Sequence, residues 1–278
     1  MLRLRQGLIY TAFAVLLVLV ALTVFLWSAP ASWADAIVSQ ATSGRVRLAE
    51  SQGKLWAGSA KIALVDPSSL GDTVSNSRIA ANDAALIRST ALAGVVIPGR
   101  CRWDLAALPL LIGKVRLQLQ FDNMAAPVFL VGDRAKLTGS AGALDLPAVR
   151  LDRLGSPWNT IQPNAALSVK WDAFVLERGQ FVGKAALTVS QVGSALSTIN
   201  PLGSYRIDLD STPQKAALVM VTLNGPLQLD GQGDWTVRTG LRFIAYAQAQ
   251  AEQAKLQPLL GLLGKREGDR TVIRLGAV

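Results

Sequence analysis

Histidine is absent from the 278-residue chain, and cysteine occurs once, as Cys101. The first absence removes Ser-His-Asp and Cys-His nucleophilic catalysis, HExxH metal sites and mixed Cys/His zinc sites. The second removes any internal disulfide, so the fold must stand on packing alone, with Cys101 expected in or near the core. Charge is scarce too, at 17% of residues against 50% hydrophobic. A chain this apolar has enough aliphatic surface to collapse and is not disordered. No GxGxxG, GxxxxGK[ST] or GxSxG run is present, so nucleotide-binding and nucleophile-elbow chemistry have no local signature here.

The charge that is present is lopsided. The net charge is +9, with a pI of about 10.1 and a mean hydropathy of +0.32. A basic chain is drawn to acidic partners, anionic lipid headgroups or nucleic acid. Nucleic-acid binding needs a basic stripe or cluster, whereas the Lys and Arg residues sit singly, mostly at alternate positions of expected strands. No nucleic-acid partner is therefore expected, and anionic lipid remains a candidate.

One long apolar run exists. Residues 8–27 carry no charge and follow Arg3 and Arg5, and the next charge is Asp35. About twenty residues at ~1.5 Å each span a hydrocarbon core of about 30 Å. The run predicts a transmembrane helix, and the positive-inside rule puts residues 1–7 in the cytoplasm and residues 28–278 on the far side. A cleaved signal peptide ending at Ala29-Pro-Ala31 is the rival, but the apolar core exceeds the usual ~7–15 residues. A short helix capped by Ser32 is expected next, with Trp33, Ile37 and Val38 on one face as a shoulder on the membrane surface.

Beyond it the chain alternates with period two, the mark of half-buried strands. In 115–121, Val115, Leu117, Leu119 and Phe121 fall on one face, with Arg116, Gln118 and Gln120 on the other. Residues 167–171, 185–189, 205–210, 227–230 and 235–238 behave alike, 271–275 more weakly, and 216–223 is apolar on both faces. Asn224, Gly225 and Pro226 predict a tight hairpin, and Gly231 and Gly233 a bulge or sharp bend. Strands this closely spaced leave no room for crossover helices. The fold class expected is mainly β: a curved antiparallel sheet with a few short helices. Residues 104–112 suggest one helix, limited by Pro109. Leu256, Leu259, Leu260 and Leu263 suggest another, with Pro258 in its first turn and Gly264 at its end. That leucine face either covers the sheet or docks a partner.

A weak internal echo runs through the chain. Trp103-Asp104 precedes Gly113-Lys114 and a strand; Trp171-Asp172 precedes Gly183-Lys184 and a strand. Two related β units meeting within 146–163 would produce it. Trp56, Trp103, Trp171 and Trp235 read as packing anchors at strand ends, with a stacking platform for ligands as the alternative. Asp208 and Asp210 share a strand face, which reads as a solvated edge rather than an acid/base pair. No enzyme chemistry, cofactor or metal is expected.

Several segments together resemble the type II secretion system protein N family. They are 53–58, with Trp56 and Gly58; 103–121, with Trp103 and the LLIG ending at Gly113; 200–205, with Pro201, Gly203 and Tyr205; 222–227 running on to 231–235, with Gly225, Pro226, Gly231, Gly233 and Trp235; and 259–264, with Leu259 and Leu263. The resemblance implies an accessory or scaffolding subunit of the machine that exports folded proteins from the periplasm across the outer membrane. It implies an inner-membrane location and, as partners, the secretin channel and the inner-membrane platform proteins. The motif residues look structural, setting turns and packing anchors. A membrane-tethered lipid-binding or lipid-transfer β groove is the alternative reading.

Overall fold

The computed structural model describes residues 28–65, 94–133, 135–150, 162–178, 180–236, 240–250 and 253–276. The apolar run 8–27 lies outside them, and no helix among the described residues is long and apolar enough to cross a membrane.

The described residues form one 17-stranded sheet in which neighbouring strands pair antiparallel. Its strands are β1 (Val46–Gly53), β2 (Ala57–Val65), β3 (Gly94–Val96), β4 (Cys101–Leu105), β5 (Lys114–Phe121), β6 (Val128–Asp133), β7 (Lys136–Gly139), β8 (Gly142–Arg150), β9 (Pro163–Trp171), β10 (Phe174–Glu177), β11 (Gln180–Ser194), β12 (Gly203–Ser211), β13 (Ala216–Asn224), β14 (Leu227–Thr236), β15 (Gly240–Ala249), β16 (Lys265–Glu267) and β17 (Arg270–Gly276). Three helices accompany it: α1 (Ser32–Ala41), α2 (Ala107–Leu110) and α3 (Gln253–Leu263). Mainly β with few helices is thus what the alternating pattern promised.

The order is close to a simple meander, because neighbours in sequence pair in space. β1 pairs with β2, whose two ends meet β3 and β4; β4 leads through β5 and β6 to β7. β7 and β8 then lie end to end, as do β9 and β10. β7 pairs with β10 and β8 with β9, while the 15-residue β11 pairs with β10 at its start and β9 along the rest. From β11 the sheet continues through β12, β13, β14 and β15 to β17 and β16.

The breaks between β7 and β8 and between β9 and β10 lie side by side, and aromatic rings cross them. The ring of Phe174 lies over Gly139, and Trp171 over Gly142, where an added Cβ would stand 2.6 Å from the indole. Phe174 also stacks with Phe181, centroids 5.1 Å apart. Along this line the sheet folds so that its apolar face turns inward. Val128 of β6 packs beside Gly142, where that Cβ would stand 3.0 Å from it, because the β6–β7 pairing continues through the Ser140 N–H bond to the Phe129 carbonyl.

The Trp echo has a structural counterpart. Trp103 pairs across strands with Gly58, and Trp171 with Gly142. Each indole N–H donates to a backbone carbonyl just ahead of its glycine, Trp103 to Leu55 at 2.9 Å and Trp171 to Ser140 at 3.1 Å. The Gly-Lys half of the echo has no such counterpart: Gly113-Lys114 opens β5, whereas Gly183-Lys184 lies inside β11, with β10 between it and the Trp171 strand. The stretch 146–163 runs from the end of β8 through residues outside the described set to the start of β9, and β8 and β9 pair as one hairpin.

Four expectations need correction. Ala31, not Ser32, holds the N-cap of α1, with no side-chain cap; Asp35 fixes this helix instead, meeting Arg47 at 2.8 Å and the Leu48 N–H at 2.7 Å. The 104–112 helix shrinks to Ala107–Leu110, because Asp104 and Leu105 are held in β4 by pairing with β5. Pro258 falls inside α3 rather than in its first turn, since the helix begins at Gln253. Gly231 and Gly233 leave the pairing of β14 with β15 in unbroken register from Leu227 to Thr236, while on the other side the β13 ladder stops at Gly231.

The best-filled core lies where α3 covers one end of the apolar face. Leu256, Leu259 and Leu260 pack on Leu202, Leu227 and Ala247. The leucine face therefore covers the sheet. Cys101 is buried, as expected, and burial pushes its thiol up to about 11.

Leu256→Ala leaves a void no neighbour fills and should cost about 2–5 kcal/mol in urea unfolding. The raised thiol predicts that at pH 8 Cys101 reacts with a disulfide reagent roughly a hundredfold slower in the folded chain than in urea, the factor set by two pH units of thiolate population. Because the fold favours the neutral thiol, its contribution to stability is complete below pH 9, the ordinary value, and is lost as pH rises towards about 11.

Candidate functional site

The motif residues assemble into three turns and a helix rather than one pocket. The first is the β1–β2 turn. Gly53 has φ +92°, Leu55 offers its carbonyl to Trp103, and Gly58 admits the indole so closely that a Cβ would stand 2.5 Å from Cζ2. Trp56, beside it, accepts a hydrogen bond at its carbonyl from the Leu105 N–H at 2.6 Å.

The second turn joins β13 to β14 through Gly225 and Pro226, the hairpin expected from the sequence. Gly225 has φ +121° and lies against the backbone of Gly203, too close for any side chain at either position. Pro201 precedes this contact in a cis peptide. Tyr205 locks the same corner: its ring is 3% exposed and its hydroxyl donates to the Leu227 carbonyl at 2.9 Å. Burial pushes this phenol far above its ordinary value, so it is a fixed donor.

The third turn carries α2 and Gly113 (φ +73°) between β4 and β5. Here Leu108, Leu111 and Ile112 are 78%, 80% and 72% exposed, the most solvent-facing large apolar side chains among the described residues. Gly231 and Gly233 make room for the Phe243 ring on β15. Trp235 is 42% exposed, so it is not the packing anchor expected, whereas Trp103 and Trp171 are half-buried with their indole N–H groups bonded. Leu259 is buried under α3 and Leu263 packs at the rim of that core.

Sequence reasoning missed a cavity. About 360 Å³ opens along the fold line between β5–β6 and β9–β12, lined by Leu119, Phe121, Met124, Val128, Leu130, Val169, Trp171, Phe174, Phe181, Ala185 and Leu209. Alternation placed Leu119, Phe121, Val169, Trp171, Ala185 and Leu209 on inward faces. That they face one another required the fold line, which no local pattern encodes.

The opposite face is polar. Asp208 accepts from Arg206, with their closest atoms 2.8 Å apart, and Asp210 meets Lys184 at 3.3 Å. Each carboxylate is matched to a cation on a solvated strand surface. Among the described residues no group of three or more metal-ligating side chains comes together.

Fold and site define a large antiparallel β domain that offers apolar surfaces and tightly built turns rather than a set of acids, bases and nucleophiles. The family model for type II secretion system (T2SS) protein N matches residues 44–274, and the chain belongs to that family. No curated protein and no solved structure matches it. The match runs from Gly44, two residues before β1, into β17.

Gly58→Ala should lower stability by about 1–3 kcal/mol, the usual cost of overpacking, with a change in the near-ultraviolet circular dichroism of Trp103. Tyr205→Phe, which leaves the Leu227 carbonyl unpaired, should cost about 1–3 kcal/mol in the same unfolding assay.

Proposed function

We propose that this chain is an accessory, scaffolding subunit of the type II secretion system, held in the inner membrane by residues 8–27 with its β domain in the periplasm. Membership of the protein N family, over nearly the whole β domain, is the observation that carries the reading. The family is a component of the export machine, so contact with other secretion components follows. The finer partners proposed are the secretin and the inner-membrane platform proteins.

Two surfaces support an anchored, partner-bound domain. Helix α1 begins a few residues after the apolar run and is pinned to β1 through Asp35 and Arg47, while Trp33 and Ile37 on it are 42% and 57% exposed. An indole and an isoleucine there suit the membrane–water interface. The α2 tip presents Leu108, Leu111 and Ile112 as a contiguous exposed apolar patch, the kind of surface that marks contact sites.

The test is affinity purification of the tagged full-length chain in mild detergent, with co-recovered proteins identified by mass spectrometry. Secretin or platform subunits at comparable abundance are expected, and recovery of the chain alone would overturn the reading. Leu111→Asp should reduce that co-recovery at least severalfold while changing unfolding by no more than about 0.5 kcal/mol, as befits so exposed a position.

A further inference from the structure

The apolar face of the sheet is filled at one end only. Under α3, Leu202, Leu227, Ala247, Leu256, Leu259 and Leu260 are each at most 6% exposed. Along the fold line the same face stays open: Leu119, Phe121, Leu130, Val169, Phe181 and Leu209 are all only half-buried around the 360 Å³ cavity. Its size falls within the ~300–1,000 Å³ typical of small-molecule pockets.

The chemistry of the wall selects the occupant. It presents carbon and no polar surface. An extended peptide laid there would leave its amide N–H and C=O groups unpaired, and a sugar its hydroxyls. Water would find none of the polar partners it needs. A hydrocarbon chain requires no partner and gains from every methylene it buries. The net charge of +9 adds long-range attraction for an anionic headgroup outside the cavity.

We propose that the fold-line cavity holds an acyl chain of an anionic phospholipid. The site stands on the cavity itself and is independent of the export reading, which a co-purification result can sink without touching it.

Photocrosslinking tests it with the full-length chain in its own membrane. Benzoylphenylalanine replaces Leu130 in the wall or, as the control, Gln118, which lies on the opposite face of β5 and is exposed. Cells are fed radioactive phosphate and irradiated. A radiolabelled lipid adduct is expected at Leu130, at least tenfold above that at Gln118. Ala185→Phe, which fills the cavity, should cut the Leu130 adduct about tenfold, while Ala217→Phe on the other face leaves it unchanged. Equal labelling at both positions overturns the proposal, as does a Leu130 crosslink to another protein or to this chain itself. So does an adduct undiminished by Ala185→Phe in protease-resistant protein. The comparison of Leu130 with Gln118 uses no cavity variant, so it decides the matter even if Ala185→Phe does not fold.

Discussion

Everything distinctive about this molecule depends on the contact between aromatic rings and bare backbone along one line of the sheet. Trp171 lies on Gly142, and Phe174 on Gly139 and beside Gly183. Strands lie ~4.8 Å apart, so a flat sheet would hold β5 about 24 Å from β12, five spacings away. Leu119 of β5 and Leu209 of β12 nevertheless line one cavity. The rings need the space that glycine leaves, and the register breaks between β7 and β8 and between β9 and β10 let the sheet turn there. Breaks of this kind increase local twist and bend a sheet towards one face. The bent sheet has an inside, and the inside is apolar because each strand alternates in step with its neighbours.

The same Gly–Trp device occurs at Gly58 and Trp103, with the indole again donating to a backbone carbonyl. There it closes the β1–β2 turn, with the indole donating into that turn at Leu55. One local solution thus serves a turn in one half and a fold line in the other.

The strands that could be read in the sequence were those whose alternation survives burial. In 115–121 the inward Val and Leu and the outward Arg and Gln are matched by the burial of β5. Strand β6 escaped notice because Phe129 and Val131 are apolar yet face out, 46% and 45% exposed, so its pattern does not alternate. Strand β15 escaped for the converse reason: its inward Ala245 and Ala247 are small while outward Ile244 and Tyr246 are large and exposed. Gly231 and Gly233 looked like a bend because glycine often marks one, but across the pair Phe243 supplies the bulk they lack. The motif turns at Gly58, Gly113 and Gly225 were legible because turn chemistry is local. The cavity was not, because it is a relation between strands far apart in the chain.

How this sheet avoids pairing with other chains bears on where partners can touch it. An open edge invites strand addition, and three edge strands among the described residues carry a device against it. β16 is a three-residue strand of Lys265, Arg266 and Glu267, all exposed. β1 is broken by an irregular register between Ala49 and Gln52, with Glu50 at φ +52° and its carboxylate bound to Lys61 and Arg100. β8 holds Pro147 within its own register shift. Backbone pairing is thereby discouraged at these three strands, and the apolar tip around Leu111 and the exposed face of α1 offer side-chain surface instead. A partner that docked on these would leave the bent sheet and its cavity free, so the proposed protein contact and the proposed hydrocarbon site would make separate demands on the same domain.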